Sequence, residues 1–406
     1  MPDVSFENLL IIFAVAVAVP LLLGTAPRLR VPSVVLEIVV GVLVGPSVLG
    51  WVEIDLPVQI LAVFGLAFLL FLAGLEIDLG RLRGRVLRLA VLGYLITVLL
   101  GVGIGAATAA AGWVRSPVLL GITLSATSLG VVVAVLKDAG RSSGAAGQSI
   151  VAAASVADFA AIVLLTLFFS TSGGSVGQHA VLLTLFAGLV GVGGLVLLRV
   201  RRSRRLGVIL ERLQDTTAEI RVRISVLLMI ALVALASRFG LETILGAFLA
   251  GALVGLVDRD AASHPRFRAK LDAIGYGFLI PVFFVSSGVR LDLTGLLENP
   301  SALALVPLSA VALLLVHAIP ALLWRRELTG PETAASALLQ ATSLPFIVTA
   351  TQIGVAAGLM TPVTAAALVC AGLLSVAAFP TVALVLLRRR TPVDADPRPA
   401  APEPAS

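Results

Sequence analysis

Cysteine is almost absent from this chain. Cys370 stands alone among 406 residues, which excludes an intramolecular disulfide and a cysteine-based metal cluster. Charge is scarce as well: 13% of residues are charged and 59% hydrophobic, more apolar surface than a soluble domain of this length can hide. The N-terminus lacks a basic flank and carries Asp3 and Glu7 instead. Its first apolar run is too long for a signal-peptide core, so it reads as a retained helix. What fills the chain is a succession of apolar runs reaching the roughly 20 residues that a membrane helix needs. The fold class is therefore an all-α polytopic membrane protein. The formal net charge of +6 does not indicate nucleic acid, because the basic residues lie between the runs.

Thirteen spans are expected, starting near residues 6, 31, 57, 87, 117, 145, 178, 222, 242, 271, 300, 333 and 361. Their orientation follows from the basic residues, which concentrate in cytoplasmic loops. With the N-terminus outside, the inner loops receive Arg28, Arg30, Arg81, Arg83, Arg85, Arg88, Lys137 and Arg141, the run 199–223, Arg259 to Lys270, Arg325 and Arg326, and the C-terminal arginines. Only Arg115, Arg238 and Arg290 of the 29 Lys and Arg fall outside. This predicts an N-out, C-in protein of the inner (plasma) membrane. The cluster Arg201, Arg202, Arg204 and Arg205 either meets anionic headgroups or only enforces orientation. Residues 391–406, rich in Pro, Ala and acid, are expected to be disordered and too few for a nucleotide-binding regulatory domain.

Two spans are interrupted by hydroxyls: Ser125-Ala126-Thr127-Ser128-Leu129-Gly130, and its echo Gln340-Ala341-Thr342-Ser343-Leu344-Pro345. Polar breaks at membrane depth are tolerated where they face protein or a water-filled cavity. The two lie seven spans apart, hence in opposite orientation, as in an inverted repeat whose broken helices build the substrate site. The bland reading is a pair of unrelated kinks.

Ionisable residues inside the bilayer are functional candidates by default. Asp158 leads, near the centre of the span 144–171, with no opposite charge within a turn and Ser155 one turn back. A carboxylate deprived of water can trade a proton for a cation; the alternative is a carboxyl locked to backbone groups exposed by a broken helix. His317 is either a proton relay or a hydrogen-bond donor between core helices. Glu37 and Glu76 are secondary candidates as gate-lining or snorkelling acids. The segment Leu245-Gly246-Ala247-Phe248-Leu249-Ala250-Gly251 reads as a small-residue packing face.

As a set, several stretches resemble the monovalent cation:proton antiporter-2 family, bacterial sodium/proton and potassium/proton exchangers. They are Val31-Pro32-Ser33 through Gly45-Pro46-Ser47, Phe68 through Glu76, Ala126 through Gly130, Ala157-Asp158, Gly246 through Gly251, and Pro281-Val282-Phe283-Phe284-Val285. The resemblance runs from about residue 8 to 388 and implies a homodimer in which a six-helix core moves against a scaffold. Residues 1–85 and 222–298 would be scaffold and dimer helices, 86–172 and 299–390 core, and 173–221 a linker helix with the basic loop. It also implies exchange of Na+ or K+ for H+, with no cofactor and only a transported cation as metal. The residues themselves join the two breaks and Asp158 into one expected ion site, with Thr127, Ser128, Ser155, Thr342 and Ser343 completing the shell. Two departures stand out. Where the family often places Asp, Asn or Gln before its aspartate, this chain has Ala157; where electrogenic members carry a core lysine, it has His317. Loss of both avoids stranding a buried charge and leaves one carrier, which implies electroneutral exchange.

Other classes fit less well. An aspartyl intramembrane protease needs two deep aspartates, and only Asp158 qualifies; no nucleophile signature flanks Ser125 or Ser128. A sodium-coupled organic-solute carrier on a related fold or a transport-dead membrane sensor would share the architecture.

Overall fold

Proline and short polar side chains set where the helices start. Asp55 caps the helix beginning at Leu56 by accepting from Val58 N at 3.0 Å. Ser116 does the same for Leu119 N at 3.3 Å ahead of Pro117, and Asn299 for Ala302 N at 3.2 Å ahead of Pro300. Thr329 and Glu332 form a capping box. In each case a side chain answers one of the first N–H groups, which have no intrahelical partner, and a proline in the first turn loses nothing by lacking an N–H.

The computed structural model describes residues 6–25, 32–77, 83–141, 144–169, 175–201, 219–257 and 265–388. Arg28, Arg30, Asp78, Arg81, Arg259, most of the basic run 199–223 and the tail 391–406 lie outside the described residues. In chain order the helices are α1 (Glu7–Thr25), α2 (Ser33–Val44), α3 (Leu56–Leu75), α4 (Gly84–Ala110), α5 (Pro117–Ser125), α6 (Leu129–Asp138), α7 (Ala145–Phe169), α8 (Val176–Arg201) and α9 (Ile220–Arg238). They continue with α10 (Thr243–Val257), α11 (Pro265–Ile274), a π-helical turn (Gly275–Leu279), α12 (Ile280–Val289), α13 (Leu293–Glu298), α14 (Pro300–Ala321), α15 (Gly330–Gln340), α16 (Leu344–Ala356) and α17 (Pro362–Arg388).

Among the described residues, eleven helical stretches are long and apolar enough to cross a membrane, and α2 and α10 are shorter apolar helices. Eleven and two give the thirteen segments expected, but the two short ones differ from full spans. At 12 and 15 residues they extend only about 18 and 22 Å, against a hydrocarbon core of roughly 30 Å.

The short helices pack through glycine, and they do so twice over. A Cβ on Gly41 of α2 would strike the Val285 carbonyl of α12, and one on Gly251 of α10 would strike the Phe71 carbonyl of α3. The reciprocal contacts match: Gly288 lies against the Ile38 carbonyl and Gly74 against the Phe248 carbonyl. A Cβ on Gly45 would stand 3.0 Å from Val289 Cα, and one on Gly255 2.9 Å from the Leu75 carbonyl. Each α2 position maps onto α10 by adding 210 (41 to 251, 45 to 255), and each α3 position onto the third helix of the second set by adding 214 (71 to 285, 74 to 288, 75 to 289). Small residues let backbones approach closely, which is how helices associate where no hydrophobic drive separates them from lipid. The glycine-rich segment at 245–251 is such a packing face on both sides, with Gly246 against the Leu232 carbonyl.

The broken helices carry the same pseudosymmetry. α5 ends at Ser125 and α15 at Gln340; α6 begins at Leu129 and α16 at Leu344, both by an offset of 215. The interruptions are residues 126–128 and 341–343. Gly130 and Pro345 lie just inside the second half-helices, Pro345 in a first-turn position where its missing N–H costs nothing. α7 packs beside α4, α5 and α6, and α17 beside α14, α15 and α16. The two sets of elements meet where α10 and α7 touch through stacked Phe248 and Phe159, ring centroids 5.9 Å apart, and where α17 touches α2.

Candidate functional site

Breaking the helix between Ser125 and Leu129 strips the first N–H groups of α6 of their partners. Ala126 and Ser128 are extended, with ψ of 157° and 97°, so the chain turns its peptide groups out of the helical ladder. α7 crosses at this point and presents Asp158. Leu129 N donates to Asp158 Oδ2 at 3.0 Å. The helix N-terminus thus offers both an N–H and a positive dipole end to the carboxylate. Asp158 is 8% exposed, and no described residue gives its other oxygen a hydrogen bond. The carboxyl is therefore held by one backbone group, as the locked reading requires, while keeping acceptor capacity free.

That capacity meets space. A cavity of about 780 Å³ is lined by Asp158, Thr127, Ser128 and Leu129, and along its walls by Leu69, Ala73, Glu76, Phe248, Tyr276, Phe284 and Pro345. It reaches residues at helix ends beside the basic loops, among them Pro32, Glu76 and Val385. Thr127 Oγ1 is buried with no hydrogen-bond partner. An unpaired hydroxyl on a residue that shares a cavity wall with a carboxylate has lone pairs to offer a small cation. Glu76, the residue that ends α3, also belongs to the cavity. Its Oε1 is 3.5 Å from Arg268 Nη2, while Oε2 is buried without a partner and lies 3.6 Å from where a Cβ on Gly130 would stand.

The other expected residues sit differently. Ser155 donates from Oγ to the Val151 carbonyl of its own helix at 2.8 Å and does not line the cavity. Thr342 Oγ1 donates to the Leu339 carbonyl; Ser343 Oγ is fully buried and unpartnered. Neither lines the cavity, so the two breaks contribute unequally in this conformation. Glu37 is 4% exposed, sits in the second turn of α2 and is likewise off the cavity, with no hydrogen bond or ion pair among the described residues.

His317 lies off the cavity, on the neighbouring face of α7 that carries Ala153 and Ala157. It lines a void of about 10 Å³ shared with Tyr94, Ser125, Ala157 and Gln340. Its Nδ1–H donates to the Leu313 carbonyl at 2.8 Å, a bond within α14. Nε2 is buried and unpaired. Tyr94 OH and Ser125 Oγ are 3.2 Å apart, and Ser125 Oγ donates to the Ile122 carbonyl at 2.9 Å. Ala157 and His317 thus share one pocket, the adjacency that their joint departure from the family pattern implies.

Sequence reading missed the aromatic wall of the cavity and Arg268. Phe248, Phe284 and Tyr276 look like ordinary lipid-facing or core residues in a chain this apolar. The clue to Tyr276 was Gly275-Tyr276-Gly277 followed by Pro281 inside one span, and the structure has a π-helical turn there, a distortion that often accompanies function.

Comparison with known proteins agrees with this architecture. Residues 13–388 match the family described as "Sodium/hydrogen exchanger, transmembrane". A Bacillus subtilis protein named as an Na+/H+ antiporter is 34% identical over 373 residues, covering 87% of this chain and 58% of the relative. An Enterococcus hirae Na+/H+ antiporter is 32% identical over 290 residues, covering 70% of this chain and 73% of its own length. The chain thus spans little more than half the length of the Bacillus relative. In fold it is similar to the sodium proton antiporter MjNhaP1 of Methanocaldococcus jannaschii, with a TM-score of 0.67 at 21% identity, over 94% of this chain and 98% of the other. With its membrane spans and its family match both running nearly end to end, the chain belongs to the sodium/hydrogen exchanger family, a family of transporters rather than enzymes.

Proposed function

We propose that this chain exchanges a monovalent cation, Na+ or K+, for H+ by alternating access around Asp158. The observation that carries the reading is the position of that carboxylate: at the start of a broken membrane helix, on the wall of a cavity that Thr127, with its unpaired hydroxyl, also lines. Deprotonated Asp158 takes the cation, with Thr127, Ser128 and exposed backbone oxygens supplying the rest of the shell. A proton replaces the cation for the return. Ser343 and Thr342 join the shell only if the second break moves toward Asp158. With Ala157 and a His317 held in one tautomer by Leu313, one site titrates per cycle, so exchange is electroneutral.

The division of labour follows the packing. Segments 86–172 and 299–390 form a moving core, 1–85 and 222–298 a scaffold that also dimerises, and 173–221 the link. The basic loops put the N-terminus outside and the C-terminus inside a plasma membrane, so the cavity faces the cytoplasm. The volume would admit an organic solute, but the polar groups gather around Asp158 while the walls are largely apolar, which favours a small ion. Asp158→Asn in proteoliposomes tests the reading: cation-evoked proton movement should vanish while the protein still folds. Retained exchange would refute it.

A further inference from the structure

The register of the inverted repeat reaches positions that the Asp158 cavity does not use. That cavity is lined by Pro32 and Val34, by Ala73 and Glu76, and by Thr127 and Ser128. Offsets of 210, 214 and 215 carry these residues to Glu242 and Ile244, to Ser287 and Arg290, and to Thr342 and Ser343. At that end of the bundle the equivalent side chains are buried, Glu242 at 8%, Ser287 at 6% and Ser343 at 0% exposure, and none of them lines the Asp158 cavity. Two of them are also left without partners. Glu242 Oε1 and Ser343 Oγ are both buried without a hydrogen-bond partner, two of only six such side-chain atoms among the described residues. A carboxylate deprived of water and of partners is costly, and its cost is relieved in any conformation that wets it. In inverted-repeat transporters the two repeats exchange their roles when access switches.

We infer that Glu242, Ser287 and Arg290 frame the mouth of a second cavity, open to the opposite face, with Ser343 at its floor, and that Glu242 is the carboxylate that loads monovalent cations from that face. The inference rests on the exchange reading. Each mouth then carries one acid, but on different elements. Glu76 ends α3, and its image is Arg290; Glu242 precedes α10, and its image is Pro32. Glu76 keeps Arg268 at 3.5 Å, whereas Arg290 has no side-chain partner among the described residues and is exposed. Adding a cation to the second mouth therefore requires an acid from somewhere other than the α3 image, and Glu242 is the buried acid in place.

Labelling from each face tests this. In full-length protein carrying Cys370→Ala, Glu242→Cys and Ser343→Cys should react with a membrane-impermeant cationic thiol reagent from the face bearing Arg290 and not from the other. Glu76→Cys should show the reverse. If Glu242→Cys fails to fold, Ser287→Cys carries the same test. Glu242→Gln should raise the apparent KM for Na+ or K+ roughly five- to thirty-fold at the Arg290 face and less than twofold at the opposite face, and Glu242→Asp should restore most of it. Cysteines at 242, 287 and 343 that stay unreactive from that face in an actively exchanging protein would overturn the inference. So would a KM shift equal on both faces. Absence of any exchange in the unmodified protein would instead overturn the exchange reading, and the face-specific labelling would still report on the cavity.

Discussion

Replacing Thr127 by Val separates binding from stability, because the two should move in opposite directions. Thr127 is 2% exposed and its Oγ1 has no partner, so in the ion-free protein the hydroxyl is a liability of about 1–3 kcal/mol. Valine keeps the shape and removes the polar atom, so the thermal midpoint should hold or rise. In the proposed cation-bound state the same oxygen becomes a ligand to a charge, worth about 1.5–3 kcal/mol. Its loss should weaken apparent cation affinity roughly 10- to 150-fold. Thr342→Val is the contrast. That hydroxyl already donates to the Leu339 carbonyl and does not face the cavity, so its removal should cost about 1 kcal/mol of stability and shift affinity by less than about threefold on the cavity side. The assay is cation-evoked recovery of a pH-dye signal in proteoliposomes, titrated with each alkali ion, alongside thermal unfolding of the same preparations. Unchanged affinity in Thr127→Val, or a loss of affinity that only tracks a fall in stability, would refute the placement of this oxygen in the ion shell.

Further outcomes follow from the same geometry. Clamping the membrane potential in vesicles should leave exchange rate and end-point unchanged. His317→Gln should keep activity, because the imidazole bonds its own helix and does not line the cavity; a voltage response abolished by His317→Gln would instead make His317 a second titrating group. Proton and cation compete for one carboxylate, so on the acid side the apparent KM for the cation should rise about tenfold per pH unit; a pH-independent KM would mean separate sites. Gly251→Ala and Gly41→Ala should each lower the yield of folded protein, since the added carbon meets the Phe71 or Val285 carbonyl and overpacking costs about 1–3 kcal/mol. If either variant matches the parent in thermal stability, the close glycine packing is not what holds that helix pair.

Hydropathy and a repeated dipeptide of hydroxyls were enough to read the membrane class, the thirteen segments and the two breaks, and Asp158 stood out as the deep aspartate among them. These features are legible because each is local: a run long enough to cross lipid, a polar interruption where lipid forbids one, a lone acid with nothing nearby in sequence to pair with. The repeat was also written more fully than the breaks alone suggest, as Gly41-xxx-Gly45 against Gly251-xxx-Gly255, though only the carbonyls facing those glycines reveal that the two motifs do the same work. Which of the expected shell residues line the cavity was not legible. Thr127 and Thr342 stand in identical local sequence, yet only Thr127 lines the cavity, with its hydroxyl buried and unpaired, while the Thr342 hydroxyl is bonded to its own helix. Ser155 lies one turn from Asp158, yet its hydroxyl turns to Val151. Those choices depend on which helix crosses behind each break and on which end of the molecule is open. Such relations join residues far apart in the chain, and they exist only once the two repeats have packed in different conformations.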